Sequence, residues 1–170
     1  KIEIVGLTTF KAFMSPVPVP YPRYFIQAGE NKGYLSSGNL QGFLYIFDLH
    51  THTIVDSIAV GYGPDMMIKQ ENRVYVANSG GWGLDSTISV VDIASDEVVT
   101  TLKTGEIPSD LTLDENSYLW VYCKGYATYN NEPPYEMISE TDALLQKIDP
   151  EDGSVLWQGK VGKAGDYTST

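Results

Sequence analysis

The chain has 170 residues, 42% of them hydrophobic and 12% aromatic, enough for one domain with a packed core and outside the composition of a disordered tail. Its 22 acidic and 11 basic residues give a formal charge of -11, and no basic run interrupts that balance, which excludes a nucleic-acid backbone as partner. No apolar run reaches the roughly 20 residues of a membrane-spanning helix, and the start lacks the charged, apolar and small-residue order of a signal peptide.

The first segment, residues 1–21, reads as the remnant of a preceding unit or an extended lead-in. Its "MSPVPVPYPRY" has the composition of a polyproline ligand, but it runs straight into the first repeat, which favours an extended connector. A chain that opens on Lys1 rather than methionine is expected to be a mature or trimmed form, with any export signal or lipid anchor preceding it. From Pro22 onward the sequence repeats. The first unit, residues 22–63, carries Tyr34 in "GYLSS", a run "LYIFDL" with Asp48, and "TIVDSIAVG" ending at Gly61. The second, residues 64–107, carries Tyr75 in "VYVAN", "ISVVDI" with Asp92, and "EVVTTLKTG" ending at Gly105. The third, residues 108–170, carries Trp120 in "LWVYC", "LQKIDP" with Asp149, and "SVLWQGKVG" ending at Gly162. The leading prolines, Pro22, Pro64 and Pro108, stand 42 and 44 residues apart, the length of one four-stranded propeller blade.

The runs are short, rich in Val, Ile, Thr and Tyr, alternate in polarity and are punctuated by Gly, Asn and Asp, so they read as strands; no segment sustains a helical period. The expected class is all-β. A four-stranded antiparallel unit cannot bury both faces alone, so the units are expected to pack face to face around an axis as blades of a β-propeller, with a β-sandwich as the alternative. The recurring rings Tyr34, Tyr75 and Trp120 are expected to be buried in that packing. Closed rings usually hold more blades than three. The chain is therefore expected to be part of a larger ring, completed by blades from another segment, another chain or a second copy, and the "DYTST" end suits a cut between blades.

In an up-and-down blade the connections alternate between the two ends. The long ones, "SGNLQG", "NSGGWGLDS" and the 19-residue "KGYATYNNEPPYEMISETD", fall on one end with the joins "YPRY", "GYGPDM" and "GEIPSD". Short acidic turns fall on the other. Extended loops at one end of a scaffold are where binding residues live. This face is expected to gather the rings of Trp82, Tyr62, Tyr126 and Tyr129, joined by Tyr21 and Tyr135, with Arg23, Asp65, Asn78 and Asp110 as polar groups that orient a small-molecule ligand. Trp82, between "SGG" and "GLDS", stands on a loop with too many glycines to hold the ring by local packing, so a ligand or partner is expected to hold it.

The stretch "VYVANSGGWGLDSTISVVDIASDEVVTTLKTGEIPSDLTLDENSYLWVYCKG" resembles the YVTN-type propeller repeat, with its tyrosine-valine-x-asparagine strand, serine-valine-isoleucine-aspartate strand and valine-glycine-x-x-proline turn. The likeness covers most of 22–162. The motif asparagine is present only as Asn78, with Ser37 and Lys124 near the matching places. The wording "ANSGGWG" and "LWVYCKG" is similar to surface propellers of anaerobic gut bacteria, some of which sit on TonB-dependent outer-membrane transporters and capture cobalamin. That resemblance implies an exported, non-enzymatic lipoprotein of the outer-membrane surface or periplasm, without a resident cofactor and with cobalamin as the candidate ligand.

Other chemistry is sparse. His50 and His52 could share one side of a strand, but they fall in a short turn without a third ligand. Asp85, Asp65 and Asp110 match no known oxygen-ligand spacing for calcium. Cys123 stands alone and decides nothing about compartment. "KIDPEDGSVLWQGKVG" resembles the tryptophan motif of quinoprotein propellers, yet the places of Trp157 in the other units are Asp56 and Thr100. No nucleophile, base and acid occur in a triad order and no phosphate loop is present, so no enzyme is expected. An interaction scaffold of the envelope is the second reading, and a fragment of a propeller lyase or quinoprotein the third.

Overall fold

The computed structural model of the chain describes residues 1–12, 14 and 16–164; the terminal "GDYTST", with the proposed cut between blades, lies outside them. No helix occurs among the described residues. Three antiparallel four-stranded sheets follow one another along the chain. The first has the order β1 (Pro22–Gln27), β2 (Lys32–Ser37), β3 (Phe43–Asp48), β4 (Thr53–Ala59), and the second β5 (Pro64–Gln70), β6 (Arg73–Asn78), β7 (Thr87–Asp92), β8 (Glu97–Lys103). In the third, β9 (Pro108–Leu113) and β10 (Leu119–Cys123) are followed by a hairpin, β11 (Ala127–Tyr129) with β12 (Met137–Glu140), before β13 (Asp142–Ile148) and β14 (Val155–Lys163) complete the sheet. The hairpin leaves no signal in the polar wording of the 19-residue excursion. The N-terminal segment pairs with itself through bridges Ile2–Val17 and Val5–Ala12.

The sequence grammar follows from position in the sheet. The second and third strands are covered on both faces, so β2, β6 and β7 read as near-continuous buried runs, whereas the outer strands β4 and β8 are mostly exposed and carry Thr, Asp, Glu and Lys. Each sheet packs on the next. The innermost strands meet in sequence, β1 against β5 and β5 against β9. Between the first and second sheets lie Tyr34, Leu44, Met67, Val74, Val76 and Val91, and between the second and third lie Tyr75, Ile88, Leu102, Leu111, Leu119 and Val121. Apolar burial of this kind is the main force joining the sheets.

Registers align Tyr34, Tyr75 and Trp120, which pair with Ile46, Val90 and Lys147. Tyr34 and Tyr75 are 0% and 1% exposed, as expected. Trp120 is only partly buried, because it lies on the flank of the third sheet where no fourth sheet is packed. There its ring contacts Trp157 at 5.6 Å, and its indole N–H donates to Asp114 at 3.1 Å. Lys147 pairs with the same carboxylate at 2.8 Å.

The hydrogen bond from Lys147 holds the Asp114 carboxyl down to about 2, ahead of the opposing effect of burial and the further donors Trp120, Tyr118 and Asn116. A carboxylate depressed in the folded state contributes stability that is present above its ordinary value of 3.8 and is lost as pH falls through about 2. Asp114→Asn is therefore expected to flatten the acid limb of stability between about pH 4 and 2. Denaturant midpoints measured across that window check it, and equal slopes in the two proteins would contradict it.

Candidate functional site

The long connections do collect at one end, and a belt of backbone hydrogen bonds holds them. Tyr21, Gly63 and Ile107 precede the three innermost strands with φ of 44°, 57° and 55°. Their carbonyls accept from Gly38, Ser79 and Lys124 at 2.9, 3.0 and 3.0 Å, the first residues of the following loops. The second and third joins also reach the preceding unit: Gly63 N–H donates to Asn39 O at 3.2 Å and Ile107 N–H to Asp85 O at 2.9 Å. Asp85 is a linchpin of this belt. Its carboxylate accepts from the Tyr62 N–H at 2.8 Å, the Ser86 N–H at 2.7 Å and the Thr87 hydroxyl at 2.6 Å.

This geometry corrects the expectation about the tryptophan loop. The glycines of 79–86 serve close approach. A Cβ on Gly63 would stand 1.9 Å from Gly81 N, and one on Gly81, at φ 64°, would stand 2.8 Å from Gly38 O. The loop backbone is pinned further by Gly80 N–H to Tyr62 O and Gly83 N–H to Gly80 O, both 2.8 Å. Trp82 is nevertheless 70% exposed. Its ring meets Tyr21 edge-on, 4.8 Å between centroids at 85°, the favoured geometry for an aromatic pair. Gly63→Ala combines a strained φ with that clash and is expected to cost more than about 1 kcal/mol. An unchanged unfolding midpoint would show that the joins tolerate a side chain.

Two depressions flank the loop. One of 150 Å³ is lined by Tyr21, Arg23, Gly38, Ser79, Gly81 and Trp82. The other, of 280 Å³, is lined by Leu40, Tyr62, Gly80, Gly83 and Leu84. Tyr62, Leu40 and Leu84 are 59%, 51% and 44% exposed, so the loop is bracketed by apolar surface on one side and aromatic and cationic groups on the other. Leu40 and Leu84 lie outside the sequence-based expectation, although an isolated leucine in each polar loop is the signal that could have found them.

The remaining expected residues divide. Arg23 and Asp65 form an ion pair at 2.9 Å that bridges the first two innermost strands. Asp65 is thereby committed, while half of the Arg23 side chain stays in solvent. Asn78 does not face a ligand: it is 0% exposed, and its Nδ2 donates to Thr87 Oγ1 at 2.9 Å and Ser89 Oγ at 3.0 Å. A Cβ on Gly61 would stand 2.3 Å from that Nδ2; the motif asparagine and the motif glycine are one packing contact. Its counterparts are Ser37 and Cys123, which pair with Pro22 and Pro108 as Asn78 pairs with Pro64, so the matching place in the third unit is Cys123 and not Lys124. Tyr126 and Tyr129 lie on the excursion of the third unit. The Tyr126 N–H bonds Thr141 Oγ1 at 2.9 Å, and Tyr129 is 51% exposed on β11. Asp110 is on the flank of the third sheet, lining a depression with Trp120 and Tyr122, away from Trp82. His50 and His52 occupy the β3–β4 turn at the opposite end.

The arrangement of sheets recurs among solved structures. Hydrazine synthase of Kuenenia stuttgartiensis superposes with a TM-score of 0.73 at 18% identity over 93% of this chain and 42% of that chain. Dihydro-heme d1 dehydrogenase NirN, solved in complex with DHE, gives 0.68 at 13% identity over 96% of this chain and 34% of that one. The WD40 propeller domain of Doa1 gives 0.58 at 10% over 82% and 40%. The fold is a β-propeller. Its three sheets are blades, and the chain spans about a third to two fifths of the length of these propeller-containing chains. No protein-family model matches the chain, and no curated protein matches it.

Proposed function

We propose that this propeller is a non-enzymatic binding module whose rim captures a large flat ligand with hydrogen-bonding arms, cobalamin being the instance suggested by the sequence resemblance. The observation that carries the reading is Trp82: an indole 70% exposed on a loop whose backbone is fixed by its neighbours. A ring held out in advance loses little conformational freedom on binding and offers a large apolar face. Tyr21 sets its orientation, and Arg23 stands in the same depression to meet a polar arm.

The same reading puts the protein in the cell envelope, exported, beside a TonB-dependent transporter. Further blades from another segment or chain would cover the flanks, where Phe25, Trp157 and Val161 are exposed. A second reading, an interaction scaffold, is favoured by one feature: the two rim depressions, 150 and 280 Å³, fall below the roughly 300–1,000 Å³ of small-ligand pockets. Titration calorimetry with hydroxocobalamin, and with dihydro-heme d1 as a second flat macrocycle, separates the two. Saturable heat with the corrinoid is the expected result. Silence with both leaves the scaffold reading in place.

A further inference from the structure

A cavity of 480 Å³ lies at the other end of the molecule, between the second and third blades. The two blade junctions differ in the turn beside it. At the first junction, Asp96 in the β7–β8 turn reaches back into the preceding blade. It accepts a hydrogen bond from the Tyr34 hydroxyl and pairs with Lys32 at 2.7 Å, while Lys32 also donates to Ile93 O at 2.6 Å. At the second junction Arg73 and Tyr75 stand in the places of Lys32 and Tyr34. The β13–β14 turn has the same length between Asp149 and Ser154 as the earlier one has between Asp92 and Glu97, and the residue in the place of Asp96 is Gly153. Both adopt a left-handed backbone, φ 57° and 76°. The plug of the first junction is thus missing from the second, and Arg73 turns instead to Glu151, 2.9 Å away and itself 75% exposed.

What is left open is polar and mixed. Arg73, Asn72 and Asn116 supply donors, Glu71 and Glu151 supply acceptors, and Tyr75 forms part of the wall. One cation against Glu71, Asp149 and Glu151 disfavours an anionic ligand. Among the described residues no group of three or more His, Cys, Asp and Glu side chains is placed to hold a metal ion. Hydroxyl groups, which donate and accept at once, match amides, carboxylates and a guanidinium set around one cavity, and 480 Å³ lies within the range of small-molecule sites. We propose that the cleft between the second and third blades, opened by Gly153 and walled by Arg73, Asn72, Asn116, Glu71 and Glu151, binds a neutral sugar.

This site is at the opposite end from Trp82 and does not rest on the rim reading. Chemical-shift titration with glucose, galactose, mannose, maltose and lactose, with glucuronate as the anionic counterpart, tests it. At least one neutral sugar is expected to bind with a Kd at or below about 1 mM, shifting amides of 70–73 and 116–118, and glucuronate to bind at least ~10-fold more weakly. Gly153→Asp restores the plug. Aspartate tolerates the left-handed backbone, and its Cβ meets only the Leu102 Cδ2 methyl at 3.3 Å. It should weaken sugar binding at least ~10-fold, and Asn116→Ala, on an exposed turn, gives a second variant with the same expected loss. Trp82→Ala should leave sugar binding unchanged. No shift with any neutral sugar, tighter binding of glucuronate, or unchanged affinity in a folded Gly153→Asp or Asn116→Ala protein overturns the proposal.

Discussion

Tyr75→Ala is expected to lower the stability of the protein by about 3 to 5 kcal/mol, more than truncation of either rim or flank tryptophan. The ring is 1% exposed and packs in the cluster between the second and third blades with Leu111, Leu119 and Val121. Removing it loses the transfer free energy of the ring and leaves a cavity that two sheets, each rigid in its own hydrogen bonds, cannot close. The Arg73 guanidinium beside it is held above its ordinary value by Tyr75 and by Glu151. Trp120→Ala, the same repeat position one blade on, should cost less, because that indole is only partly covered on the open flank. Urea unfolding of both variants makes the comparison. A loss below about 1 kcal/mol for Tyr75→Ala would show that the blades do not rely on these rings.

The second large effect is on binding. Trp82→Ala is expected to weaken capture of the rim ligand by about 2 kcal/mol or more, roughly thirtyfold in affinity, with little change in stability. The indole is 70% exposed and its ring contact is with Tyr21, so the folded protein loses little when it is cut back. A complex formed over it would lose its central anchor. The reverse pattern, lost stability with unchanged affinity, would make Trp82 a packing residue of the loop belt.

The blades were legible because their grammar is the physics of a four-stranded sheet. Prolines at the innermost strands, aromatic rings between sheets and aspartates at the ends of third strands all recur in register, and the strands start where Pro22, Pro64 and Pro108 stand. What the sequence hid was direction. Asn78 reads as a polar group in a loop-bearing motif, yet the pairing of Asn78 with Pro64 points it inward, against Gly61. Asp110 shares a join with rim residues, but it lies on the flank beside Trp120. The glycines around Trp82 read as flexibility. They are the close contacts that stiffen the loop, something visible only once Gly63, Gly81 and Gly38 are seen together. The Gly153 cleft was hidden for a related reason: a missing side chain signals nothing until the equivalent turn, with Asp96 in that place, is laid over it.

Whether the rim ligand sits on Trp82 is tested most directly by the indole N–H resonances. The chain has three tryptophans, Trp82 on the rim and Trp120 and Trp157 together on the flank of the third blade, so one spectrum separates the two surfaces. Titration with diamagnetic hydroxocobalamin is predicted to shift the Trp82 signal saturably while the Trp120 and Trp157 signals stay in place. A saturable shift confined to the flank pair, or no movement of the Trp82 signal, would contradict it.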